Sequence, residues 1–182
     1  MNLTFVTGNK AKAEQLSRYL DIPLHHQKID LPEIQSLSLH EVVEEKAKAA
    51  FEYIGGPVLV EDVSLRFASM GALPGTFIKW FLQELGNEGL CKIIDQFPSR
   101  EAEAHCMFGY YDGRTFETFS GIRKGSIAKS PQGEVGFGWD PIFIPEGAEK
   151  TWASMSKEEQ SLFSMRRLAL EQVVLYLNNI KL

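Results

Sequence analysis

The sequence of 182 residues predicts a mixed α/β fold. Two observations carry this. Short apolar runs alternate with helix-period segments in the first half, which is the pattern of βα units. Later, aromatic and β-branched residues flank Asp112-Gly113 across 101–128, as in a hairpin of long antiparallel strands. A parallel start and an antiparallel continuation imply one mixed sheet.

Each element has its own signal. Leu3-Thr4-Phe5-Val6-Thr7 reads as a buried strand closed by Gly8-Asn9, with a helix expected from about Lys10 to Tyr19. A second extended piece is expected over Leu24–Ile29, before the turn Asp30-Leu31-Pro32-Glu33. Leu39, Val42, Val43, Ala47, Ala50 and Ile54 repeat at helical spacing, and Gly55-Gly56-Pro57 ends that helix. The apolar run Pro57–Val60 predicts a strand ending on Glu61-Asp62. Helices are expected over Thr76–Leu85 and Glu88–Ile94, then a short strand over Pro141–Ile144 after the Gly136–Asp140 loop. Ser156 and Glu159 form a Ser-x-x-Glu start for one long helix reaching Asn179.

Composition narrows the function classes. Hydrophobic residues make up 44% of the chain, enough to bury a core, and no repeat or linker divides 1–182, so one folding unit is expected. A net charge of −5 lacks the broad positive field that nonspecific nucleic-acid or anionic-membrane binding needs. A small anion held by a few lysines is compatible with it. Cys91 and Cys106 form no CxxC pair, which argues against a disulfide scaffold or zinc site. His25, His26, His40 and His105 lack ligand-like spacing and read as structural or surface residues. The opening residues do not resemble a signal peptide, and no apolar run approaches about 18 residues, so a cytoplasmic protein is expected.

Polar residues at apolar positions are the functional candidates. Lys46 shares the buried stripe of its helix, and Arg166 precedes Leu170 and Val173 at the same spacing. Such cations either snorkel to solvent or line a cleft that receives an anion. Asp62 is placed at a strand end, where open α/β sheets hold ligands. Alternation sends Glu61 to the opposite face, so one of the two faces the site. Glu33 reads as a metal ligand or a surface acid. The turn Thr7-Gly8-Asn9-Lys10-Ala11-Lys12 joins a strand end to a helix start, a place suited to phosphate, though it is not a P-loop.

Together these stretches resemble the inosine/xanthosine triphosphate pyrophosphatase family nearly end to end. Phe5-Val6-Thr7-Gly8-Asn9-Lys10-Ala11-Lys12 is similar to its phosphate-binding turn, and Leu31-Pro32-Glu33 to its acidic turn. Glu61-Asp62-Val63-Ser64-Leu65, Leu73-Pro74-Gly75-Thr76-Phe77-Ile78-Lys79-Trp80-Phe81 and Phe137-Gly138-Trp139-Asp140-Pro141 resemble three further motifs in the family's order. The resemblance implies an elongated mixed sheet with two lobes around a central nucleotide-binding cleft, a homodimer, and Mg²⁺-dependent cleavage of a nucleoside triphosphate to monophosphate and pyrophosphate. It implies that Thr7, Gly8, Asn9, Lys12, Lys46 and Ser64 bind the phosphates and that Glu33 and Asp62 hold Mg²⁺. Asp62 is then also the general base, with Lys12 and Glu33 supporting catalysis. Phe137, Gly138, Trp139, Asp140, Gln160, Ser164, Met165 and Arg166 are implied to form the base site.

Departures fall on the base-reading segment. Gln160 and Met165 stand where the family pattern has lysine and histidine, and Val63 where it has threonine. An altered base preference is therefore expected. A nucleotide-binding protein of the same fold with little turnover is the alternative, disfavoured because a pure binder needs no general base. The apolar cluster Phe77, Ile78, Trp80 and Phe81 cannot share one helix face, which suggests that part of it covers a subunit interface.

Overall fold

Leu3–Val6 forms β1, with all four side chains buried, and pairs in parallel with β2 (Leu24–Gln27), Leu3 opposite Leu24 and Val6 opposite Gln27. The computed structural model describes residues 3–8, 12–13, 16, 24–134 and 138–180. Strand β2 stops at Gln27, short of the expected Ile29. Of the helix expected after β1, Lys12, Ala13 and Leu16 are helical; Asn9 and the remaining positions lie outside the described residues.

Helix α1 runs Leu39–Ile54, as the periodicity predicts. The Ser38 hydroxyl caps it by accepting from the Glu41 amide, and Gly55 closes it in the left-handed conformation at φ 68°. Strand β3 (Val58–Phe67) is parallel to β1, with Thr4 opposite Val58 and Phe5 opposite Leu59. It corrects the sequence expectation, because it continues past Glu61-Asp62. The short β4 (Pro74–Gly75) pairs with its far half at Leu65 and Arg66, and Leu65 and Phe67 bury fully. Asp62 is thus mid-strand. It still lies beyond the carboxyl end of β1, since the register brings Thr7 level with Glu61.

Helix α2 (Ile78–Ile94) is broken at Gly86 (φ 64°, ψ 179°), matching the two helices expected there. Strands β5 (Glu101–Tyr111) and β6 (Phe116–Ile127) are hydrogen-bonded neighbours; their short connection permits only an antiparallel pair. Their turn rests on the Asp112 carboxylate, which accepts from the amides of Arg114 and Thr115 at 2.9 and 2.7 Å. Strand β7 is Phe143–Pro145, two residues later than expected, and pairs antiparallel with β6. The seven-stranded sheet has the order β2-β1-β3-β5-β6-β7, with β4 attached to β3.

The expected long final helix is two helices. A capping box of Ser156 and Glu159 starts α3 (Lys157–Phe163), Ser164 is extended (φ −65°, ψ 115°), and α4 runs Met165–Asn179. Helix α3 buries none of its residues, so no apolar stripe obliges it to continue along the axis of α4. Among the described residues, no helix is long and apolar enough to cross a membrane.

Two compact units divide these elements. The first comprises 1–62, 106–121 and 166–182. On one side of its sheet, Val43, Ala47 and Ala50 of α1 pack with Val6, Val58, Val60 and Met107. Strand alternation turns Phe108 and Tyr110 the other way, where Phe108 meets Phe5 and Tyr110 meets Tyr176 of α4. The second unit comprises 63–105 and 122–165. Its core joins Ile78, Leu90 and Ile94 of α2 to Leu65, Phe67, Ala104, Ile127, Trp139 and Phe143.

At Gly109, α1 packs tightly on the sheet: a Cβ there would lie 2.5 Å from Val43 Cγ1 and 3.2 Å from the Phe116 ring. Gly109→Ala is expected to destabilise the protein by about 1–3 kcal/mol through overpacking. A urea midpoint equal to that of wild type would show that α1 can lift off β5 freely.

Candidate active site

The pleat of β3 sends Asp62 and Glu61 to opposite faces, and each meets its own cations. On the Asp62 side, the Lys46 ammonium donates to Asp62 Oδ2 at 3.0 Å and to Glu33 Oε1 at 3.1 Å. Lys46 reaches this position from the apolar stripe of α1, between Val43 and Ala50. Burial works against its charge, but the carboxylates of Asp62 and Glu33 outweigh it and hold the ammonium above the ordinary lysine range. Glu33 comes from the irregular segment after β2, so one lysine gathers two acids distant in sequence.

On the other side, Glu61 is a buried carboxylate with only 1% of its side chain exposed. Its Oε1 accepts from Arg166 Nη2 at 2.7 Å, Arg166 Nε at 3.0 Å, Lys12 Nζ at 3.2 Å and the Cys106 thiol at 3.5 Å. Burial pushes the Glu61 carboxyl up, yet the Arg166 and Lys12 charges prevail and hold it below the usual range. Burial, reinforced by the Glu61 charge, drives the Cys106 thiol the other way, well above its ordinary value, so it stays protonated. Sequence reasoning missed Glu61 as a member of the site. The available signal was its place in strand alternation: a charged side chain on the face that also carries Leu59.

Thr7, Gly8, Lys12, Glu33, Lys46, Asp62 and Arg166 all belong to the first unit, together with Glu61. Thr7 follows β1, where its carbonyl meets His26 Nε2 at 2.9 Å, and Gly8 is exposed. The remaining described candidates belong to the second unit. Ser64 is buried on β3. Trp139 is 6% exposed and forms part of the core, and Met165 packs against the same cluster. Gly138 is tied down by Asn87 Nδ2, which donates to its carbonyl at 3.0 Å. The Asp140 carbonyl accepts from the Ala153 amide at 3.0 Å. Gln160 donates its amide to the Trp152 carbonyl at 2.9 Å, and Ser164 forms the break before α4. Phe137 lies outside the described residues.

The donor set around Lys46 suits a hard cation. Glu33 and Asp62 offer only oxygen, and both already converge on one positive group. Among the described residues, no cluster of three or more His, Cys, Asp or Glu side chains could hold a metal. Two carboxylates are nonetheless a sufficient protein share for an ion that also takes ligands from a bound polyphosphate and water.

The sequence model of the Ham1 family matches residues 3–176. The chain belongs to the Ham1 family. Its curated relatives include the inosine triphosphate pyrophosphatase of Schizosaccharomyces pombe, 44% identical over 172 residues, covering 92% of this chain and 90% of that protein. Inosine triphosphate pyrophosphatase 2 of Trypanosoma cruzi is 42% identical over 172 residues, with coverages of 92% and 88%. Among solved structures, a HAM1 protein from Coxiella burnetii superposes with a TM-score of 0.87 at 24% identity over 98% of this chain and 99% of that one. A nucleoside-triphosphatase described as a dITP/XTP pyrophosphatase, from Mycobacterium abscessus, gives a TM-score of 0.79 at 25% identity, with coverages of 96% and 99%. Glu33, Lys46, Asp62, Glu61 and Arg166 all fall inside the stretch that matches the Ham1 family.

Proposed function

We propose that this Ham1-family chain hydrolyses a purine nucleoside triphosphate of the inosine/xanthosine class, releasing nucleoside monophosphate and pyrophosphate. The observation that carries the reading is the ammonium of Lys46 held between Glu33 and Asp62, two acids and a cation of the kinds that polyphosphate chemistry uses. Thr7, Gly8, Asn9, Lys12, Lys46 and Ser64 bind the phosphates in this reading. Glu33 and Asp62 hold Mg²⁺, which when bound supplies electrophilic stabilisation of the charge on the phosphates. Asp62 accepts a proton from the water that attacks the α-phosphorus. The α–β anhydride bond then breaks, and its electron pair leaves with pyrophosphate. The relatives named as inosine triphosphate pyrophosphatases support this chemistry.

The experiment is incubation with a mixture of nucleoside triphosphates and Mg²⁺, followed by product identification. Monophosphate with pyrophosphate is expected; diphosphate with phosphate would overturn the reading. Asp62→Asn preserves size but not basicity, and should lower turnover by about 10²-fold or more. A rate near that of wild type would reduce Asp62 to a structural acid.

Base recognition is expected to be weakened. Gln160 already spends an amide proton on the Trp152 carbonyl, and Met165 contributes an apolar surface to the core. Phe137 or Trp139 stacks on the base in this reading, and stacking alone tolerates any base. Arg166, Asp140, Gly138 and Ser164 complete the proposed base site. Gln160→Lys combined with Met165→His should increase the preference for inosine triphosphate over ATP. A wild-type preference for inosine triphosphate already near about 10³-fold would contradict this reading, since that exceeds what an apolar pocket distinguishes.

We also infer a homodimer, supported by Trp80, which is 53% exposed at the start of α2. Light scattering at micromolar concentration should give twice the chain mass, and a monomer would count against the assembly.

A further inference from the structure

We propose that Glu61 is a positioning residue for nucleotide binding, whose buried Oε1 ties Lys12 and Arg166 into one fixed cationic pair. The inference rests on the hydrolase reading above and adds a residue to it. Oε1 is the common acceptor for donors far apart in sequence: Lys12 beyond β1, Cys106 on β5 and Arg166 in the first turn of α4. Oε2 is also buried and has no hydrogen-bond partner among the described residues. A carboxylate serving only its own solvation would divide its donors between both oxygens. Here both cations are anchored at a single point instead.

Stability is a weak explanation for such a group. A buried ion pair loses about as much in desolvation as it gains in attraction, and apolar replacements are often no less stable. What the pair supplies is order. Lysine and arginine side chains lose considerable rotamer freedom when immobilised on a ligand, and a partner that immobilises them beforehand removes that loss from binding. Among the described residues, two cations meet the one carboxylate, a surrounding suited to an anionic ligand. Their side chains are 15% and 22% exposed, whereas that of Glu61 is sealed.

The test is Glu61→Gln, which keeps the shape and removes the charge, assayed with inosine triphosphate and Mg²⁺. KM of the folded protein should rise by about tenfold or more, on the scale of a lost charge-assisted hydrogen bond, with a smaller change in kcat; the melting temperature should fall, because two cations lose their buried partner. Glu61→Asp keeps the charge and should recover part of the affinity. It also serves as the variant of record if Glu61→Gln does not fold, its KM then expected above that of wild type. In a Lys12→Met background the Glu61→Gln effect should shrink, because a residue acting through another has less to lose once that partner is gone. A KM within about twofold of wild type in a folded Glu61→Gln protein, or in Glu61→Asp where Glu61→Gln does not fold, would overturn the proposal, as would full additivity with Lys12→Met. If wild type releases no pyrophosphate from any nucleoside triphosphate, the hydrolase reading falls by itself. Calorimetric binding of Mg²⁺–inosine triphosphate then decides the Glu61 question, with the same loss of affinity expected.

Discussion

Adjacent residues of a β-strand cannot share a face, and two acids in succession must therefore be satisfied from opposite sides of the sheet. In β3 this constraint falls on Glu61 and Asp62. Asp62 turns toward α1 and meets Lys46; Glu61 turns toward α4 and meets Arg166 and Lys12. One peptide bond thus sets two ion clusters in the same unit, one with an accessible carboxylate and one with a sealed carboxylate. The positions of Lys12, Glu33, Lys46 and Arg166 all follow from which face of β3 each segment reaches.

The two clusters divide the electrostatic work. Among the described residues, two acids meet one cation around Lys46, a surrounding that suits a hard metal ion. Among the same residues, two cations meet one acid around Glu61, a surrounding that suits an anion. A polyphosphate bound with its metal needs both kinds of surroundings. The family match and the relatives at 44% and 42% identity agree with that pairing of environments.

Legibility in the sequence varied with the physics behind each signal. Helix α1 could be read to its ends because an amphipathic stripe, a serine cap and a glycine stop all agree there. The placement of Lys46 followed from the same stripe. Strand β3 was read too short because Glu61 and Asp62 look like a strand end when only the preceding apolar run is weighed. The alternation of Val63, Leu65 and Phe67 beyond them was the overlooked continuation. The break at Ser164 could not be read from periodicity, since good helix formers flank it and its φ of −65° is itself helix-compatible; only the ψ of 115° departs. For Glu61, alternation marks a charged side chain on the face of Leu59, but the two cations and the thiol that meet it come from remote segments and appear in no local pattern.

The break at Ser164 has an electrostatic consequence. It makes Arg166 and Arg167 first-turn residues of α4, a helix with no acidic residue in that turn. Aligned peptide dipoles give a helix start a partial positive charge, which disfavours nearby cations by about 0.3–1 kcal/mol each. An arginine pair there opposes the dipole of its own helix, and a continuous helix from Ser156 would have placed the same residues safely in its interior. Within α4, Glu171 answers Arg167 at 3.7 Å one turn on; the carboxylate that meets Arg166 comes from β3. The start of α4 is therefore held against its own field by a strand more than a hundred residues earlier, Glu61 lying 105 positions before Arg166.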